Sequence, residues 1–190
     1  MAAMTDREVT RAIVFLESRI TGYESLIAGL GPGTEWFLVD TTEDGFVQIQ
    51  RDLVGYTDFD ATFIISHGEP RTLCLGNTTQ ISDIIQNYKT DLERIGASLS
   101  SEGDILLYGC DVVSSDAVKD FVQDLAATTG ADVAASNDFS VLSGDADLEL
   151  STRTITTETL TGFPTISGLS GKSEPNGTTS TASTISAWAQ

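Results

Sequence analysis

The chain is expected to fold as an α/β protein, a three-layer sandwich with a mostly parallel central sheet and a small antiparallel addition near the C-terminal end. Three observations predict this. Five apolar runs of strand length, 12–16, 36–39, 61–65, 105–108 and 131–136, are separated by segments whose apolar residues recur every three or four positions. The runs are apolar throughout, as strands covered on both faces are. Beyond them, Leu148 to Thr152 and Thr154 to Thr157 alternate with period two, the pattern of half-exposed antiparallel strands.

Ala12-Ile13-Val14-Phe15-Leu16 is the first strand, and Glu17-Ser18-Arg19 ends it. Tyr23 to Leu30 then has helical spacing and closes through Gly29, Gly31, Pro32 and Gly33. Trp36-Phe37-Leu38-Val39 is the second strand, ending at Asp40, and Gly45 to Leu53 follows with Phe46, Ile49 and Leu53 on one helical face. Ala61 to Ile65 is the third strand. Thr72-Leu73-Cys74-Leu75-Gly76 alternates as a short extended segment that turns at Gly76-Asn77. Ile81, Ile84, Ile85, Tyr88, Leu92 and Ile95 mark one long amphipathic helix ending near Gly96.

Ser101-Glu102-Gly103-Asp104 reads as a turn before the fourth strand, Ile105 to Tyr108. Ser114 to Ala127 is a helix with Val118, Phe121, Val122 and Leu125 inward, capped near Gly130. Ala131 to Ser136 is a fifth strand of small residues, and Asn137 to Gly144 a loop. The domain is expected over 12–165. Residues 1–11 are read as a disordered or extended N-terminus, and 166–190, rich in Ser, Thr and Gly, as a linker.

Twenty-eight Asp and Glu against ten Lys and Arg leave a formal charge of -18. The average field repels nucleic acid, anionic lipid and polyphosphates, so nucleic-acid partners are not expected. The apolar run at Ala12 to Leu16 is too short for a signal peptide or a membrane span, so neither a leader nor membrane insertion is expected. Two cysteines make no disulfide framework and fit no zinc spacing, so no metal site is expected, while a single bridge between Cys74 and Cys110 stays open. Asp138, Asp145, Asp147 and Glu149 lack the spacing and glycine of a calcium loop, so calcium has no motif behind it and no cofactor is expected. No dinucleotide fingerprint, Walker loop or serine-hydrolase elbow is present.

The chemistry concentrates at two strand ends, Ser66-His67-Gly68 and Tyr108-Gly109-Cys110, which hold the only histidine and one of the two cysteines. In parallel α/β sheets the ligand crevice lies beyond the carboxyl ends of the strands. If the third and fourth strands are neighbours, His67 and Cys110 face one crevice as base and thiol nucleophile, near a helix N-terminus that favours a thiolate. Amides of Gly68 and Cys110 are candidate oxyanion donors. Taken singly, a strand-end histidine and a lone cysteine are more often structural, and Cys74 is read as a packing residue.

Ser66 to Pro70, Leu73 to Gly76, Gly103 to Val112, Thr129 to Ser136, and Gly144-Asp145 with Leu148-Glu149 carry, in order, a resemblance covering about Ala12 to Thr154. The chain resembles a bacterial domain of unknown function found at or near the N-terminus of giant surface and secreted proteins with cadherin-like or haemolysin-type calcium-binding repeats. More distantly, its His-Gly and Gly-Cys strand ends are similar to caspase, gingipain and clostripain cysteine peptidases, with Cys110 standing 43 positions after His67. That likeness implies a caspase-like fold, the same His67 and Cys110 pair, and a peptide or protein substrate such as the chain's own linker. It implies Tyr108, Asp111, Ser136 and Arg19 as substrate-binding positions, with Arg19 suited to an acidic side chain and an ordinary surface arginine as its plainer reading.

Two departures bear on activity. Asp111 stands where the surface-protein family more usually has Asn, adding charge that raises a neighbouring thiol's pKa, and Ala146 stands where Trp is common. Tyr108, two before the cysteine, predicts neither a basic nor an acidic preference. The expected location is extracellular or at the cell surface within a larger protein, with the cytoplasm left open. Two functions stand side by side: a cysteine endopeptidase processing its parent chain or surface proteins, and a non-catalytic interaction or secretion module of a large adhesin.

Overall fold

The computed structural model describes residues 11–69, 72–78, 84–109, 116–136, 148 and 150–152. A six-stranded sheet runs through it, built from β1 (Ala12–Glu17), β2 (Thr34–Val39), β3 (Phe59–Ile65), β6 (Leu99–Tyr108), β7 (Asp132–Ala135) and β8 (Leu150–Ser151), in the order β2-β1-β3-β6-β7-β8. The first five strands are parallel to their neighbours, and β8 is antiparallel to β7. A separate hairpin, β4 (His67–Glu69) and β5 (Thr72–Cys74), follows β3.

The chain steps outward from β1 to β2, then reverses and continues through β3, β6 and β7. Right-handed crossovers demand that such a reversal change the face on which the connecting helix lies. Accordingly α1 (Tyr23–Gly29) packs with Ile20 and Leu26 on the face made by Val14, Leu16, Phe63, Ile65, Leu106 and Tyr108. On the other face α2 (Gly45–Asp52), α3 (Ile84–Asn87), α4 (Lys89–Ala97) and α5 (Asp116–Thr129) cover Ile13, Phe15, Ile64, Ile105 and Leu107. Those two buried clusters are the cores of a three-layer sandwich, and they explain why the strand sequences lack alternation.

Helix ends follow local chemistry. Asp44 caps α2, its Oδ1 accepting from the amides of Phe46 and Val47 at 3.0 and 3.1 Å. Gly130, at φ 76°, ends α5 in the left-handed conformation that glycine takes without steric cost. Gly96 lets α4 and α5 meet: a Cβ there would run into the backbone carbonyl of Thr129.

Four sequence readings change. The run at 36–39, expected like the others to be covered on both faces, forms the edge strand β2, where Trp36 is exposed, Phe37 and Leu38 are half-buried and only Val39 is buried. The single helix expected up to Gly96 is two, α3 and α4, meeting at Tyr88, whose ring packs on Phe46 at 4.8 Å and whose hydroxyl donates to Asp44. Hydrogen bonds from Tyr88 N to Ile84 O and from Leu92 N to Tyr88 O, both 2.9 Å, bridge the break, so the apolar spacing continues across it. The turn expected at 101–104 lies within β6: Phe59 pairs with Leu99 and Ala61 with Asp104, so residues 100–103 bulge opposite Asp60. Glu17, expected to end the first strand, is its last residue and is fully buried. The expected strand at Thr154 to Thr157 and the stretches 1–10 and 166–190 lie outside the described residues.

Candidate active site

With the hairpin set aside, the parallel strands follow a 2-1-3-4-5 order, whose switch point lies between β1 and β3. There the connections depart to opposite faces, and open α/β sheets bind their ligands beyond the carboxyl ends at such a point. Glu17-Ser18-Arg19 and Ser66-His67-Gly68 border it, and β6 adjoins them.

The register is specific. Leu16 pairs with Ile65, and Ile65 with Tyr108. Ser66 N donates to Tyr108 O at 2.9 Å and Ser66 Oγ donates to the same carbonyl at 3.3 Å, while Ser136 N donates to Leu107 O at 2.9 Å. Three neighbouring strands therefore end level, tied by hydrogen bonds in a fully buried row of Ser66, Tyr108 and Ser136. Gly109 is buried and takes φ 85°, a left-handed turn at which a larger residue would be strained and which bends the chain as it leaves β6.

His67 opens β4, with its backbone paired to Cys74, and Gly68 pairs with Leu73. Cys74 is a buried thiol, in keeping with a packing role. Cys110 and Asp111 lie outside the described residues, as do Asp138, Asp145, Asp147 and Glu149 of the acidic cluster and Ala146. The Tyr108 ring is 1% exposed and stacks on Phe63 at 6.5 Å, which makes it part of the core. Ser136 is buried at the end of β7. Arg19 is half exposed and turns back on its own strand: Nε donates to Glu17 Oε1 at 2.7 Å, and the Nη2 group reaches the same oxygen.

Glu17 is what sequence reading missed. A carboxylate after five apolar residues looks like the exit of a strand, yet here it continues the β1–β2 ladder opposite Val39. The arginine two residues on was the available signal, because a buried carboxylate needs a charged hydrogen-bonding partner. Among the described residues no group of three His, Cys, Asp or Glu side chains is disposed to hold a metal ion, and no helix is long and apolar enough to cross a membrane.

The fold is that of an α/β protein with a doubly wound, mostly parallel sheet. Residues 13–166 match the model of the family described as Domain of unknown function (DUF4347), and the chain belongs to that family. No curated protein and no solved structure matches it.

Proposed function

We propose that the protein is a cysteine endopeptidase with a caspase-like His67 and Cys110 dyad, acting on its own parent chain or on surface proteins. One observation carries the reading. Ile65 and Tyr108 are register partners on adjacent parallel strands, and His67 and Cys110 each follow two residues later. Neighbouring strands lie about 4.8 Å apart, and the equal offset of His67 and Cys110 from one register pair supports reading them as a base and a thiol of one site.

In this reading His67 takes the thiol proton and the Cys110 thiolate attacks the scissile carbonyl carbon, its oxyanion meeting the amides of Gly68 and Cys110. The peptide C–N bond breaks, and the amine leaves with the proton from His67. Water, deprotonated by His67, then hydrolyses the thioester to release the acid and restore the thiol. In the same reading Arg19, paired with Glu17 at the end of β1, is the group that meets an acidic substrate side chain.

Alkylation tests this. With limiting iodoacetamide, Cys110 is expected to react first, with a midpoint below the free-thiol value of about 8.5, and Cys110→Ala is expected to abolish cleavage within 166–190. Preferential labelling of Cys74, or cleavage unchanged in Cys110→Ala, would overturn the proposal. An ordinary Cys110 midpoint with no peptide hydrolysis at any calcium concentration would support the adhesin-module reading instead.

A further inference from the structure

We propose that the junction between residues 43–45 and 75–77 is the positioning device for His67, so that the proposed base is set from the start of α2, a helix that follows a different strand. The inference rests on the reading of His67 as a site residue. Its geometry belongs to the backbone.

The hairpin that begins at His67 is short. Three pairs make it: His67 with Cys74, Gly68 with Leu73, and Glu69 with Thr72. An isolated hairpin of that size is marginal in water, so its position has to be imposed from outside. The attachment comes immediately after β5. Leu75 is fully buried, Gly76 forms an antiparallel bridge with Asp44, and Asn77 N donates to Glu43 O at 2.9 Å. Asn77 Nδ2 adds a bond to Thr42 O at 3.3 Å. Leu75 and Thr78 close the turn on themselves, N to O, at 3.0 and 3.1 Å.

Glycine is required on both sides of the contact. A Cβ on Gly76, at φ 63°, would collide with Glu43 O and come 2.7 Å from Gly45 N. A Cβ on Gly45 would collide with Leu75 O and lie 2.5 Å from Leu75 Cγ. No flexible side chain can yield there, because the obstacles are chiefly backbone atoms.

The receiving segment is itself fixed. Buried Gln48 accepts from Asp40 N at 2.8 Å and donates through Nε2 to Asp40 O and Glu43 O at 2.8 and 3.1 Å. Asp44 caps α2 with one carboxylate oxygen and accepts the Tyr88 hydroxyl with the other, tying the start of α4 to the same point. From that anchor only Leu75 separates Gly76 from Cys74, the ladder partner of His67. A displacement at Gly76 is thus transmitted to the histidine over two residues and one ladder pair.

His67 is the chain's only histidine, so its ring C–H signals in a proton NMR titration need no assignment. Gly76→Ala and Gly45→Ala attack the junction from its two sides, and Gly55→Ala is the control, a left-handed glycine at φ 87° whose Cβ would meet nothing within 4 Å. In the first two variants the His67 ring shifts and titration midpoint are expected to move. Amide exchange at Leu73 to Leu75 is expected to quicken on the order of tenfold while β1 and β3 keep their protection. Gly55→Ala should leave the His67 signals where they are.

Unchanged His67 titration in both junction variants, or hairpin exchange that quickens only together with the whole sheet, would overturn the proposal. Should Gly76→Ala fail to fold, Gly45→Ala decides, since alanine favours the helix it enters. The two readings separate cleanly. A wild-type protein that hydrolyses no peptide, yet whose His67 signals move in the junction variants, refutes the peptidase and keeps the latch. Peptidase activity alongside unmoved His67 signals does the reverse.

Discussion

Ser66 donates both its amide and its hydroxyl to the carbonyl of Tyr108, joining the last residue of β6 to the residue that separates β3 from the histidine hairpin. That carbonyl is the meeting point of the two strand ends. The ring of the same tyrosine faces away from solvent, onto Phe63.

Tyr108→Ala should therefore behave as a core deletion. The loss of a buried, stacked ring is expected to cost about 3–5 kcal/mol, read as a lower denaturation midpoint with the slope unchanged. A variant that keeps wild-type stability while changing peptide preference would place the ring in the substrate site.

The Glu17 and Arg19 pair sets a partly exposed guanidinium against a fully buried carboxylate. Removing the arginine leaves the carboxylate with less compensation, discounted for solvent around Arg19. A double-mutant cycle of Glu17→Gln and Arg19→Met is expected to give a coupling of about 1–2 kcal/mol by urea denaturation. Additivity within error would show that the pair contributes nothing to the fold.

Tyr88 gives an alkaline signature. Its hydrogen bond to Asp44, with burial and the neighbouring negative charge, raises the phenol above its ordinary value near 10. The folded state holds the proton more tightly than the unfolded one, so this stability is fully present below pH about 10 and is lost as pH rises through the higher folded value. Stability measured from pH 8 to 11 should fall less steeply in Tyr88→Phe. Parallel curves would exclude the linkage.

Gly96 sets two effects against each other. Alanine is better in a helix interior by about 1 kcal/mol, but its Cβ would press on the Thr129 carbonyl at the end of α5. Backbone against backbone cannot relax cheaply, so Gly96→Ala is expected to destabilise by about 1–3 kcal/mol in thermal or urea unfolding. A more stable variant would show that α4 and α5 can separate at little cost.

The buried strands were legible because a strand covered on both faces has nothing polar to show. The runs at Ile13, Ile64, Leu106 and Val133 lie where their sequences put them, and the helix face of Phe46, Ile49 and Leu53 packs as its spacing implies. The mostly parallel sheet was legible for the same reason, and the antiparallel addition from the period-two alternation of Leu148 to Thr152. Residues whose role depends on distant backbone were harder to read. Glu17 looks like a strand exit until Arg19 folds back on it, and Gly45 looks like an ordinary helix start and Gly76 like an ordinary turn glycine until they meet. The helix break at Tyr88 was hidden because a bend that keeps one face inward keeps the spacing too. At the site, the adjacency of the strands that lead to His67 and Cys110 was a condition the sequence left open, and β3 and β6 are neighbours.

The bulge in β6 gives the sheet two rims of unequal character. At the carboxyl rim, Ser66, Gly109 and Ser136 are all buried and length is fixed by register. At the opposite rim, residues 100–103 already pass a single partner residue, and Ser101 and Glu102 are exposed. Only Gly103 is confined there, since a Cβ would lie 2.7 Å from Phe59 O. Extra residues between Ser101 and Glu102 would lengthen a loop that has already left the ladder, making this the natural port for a reporter peptide or affinity tag.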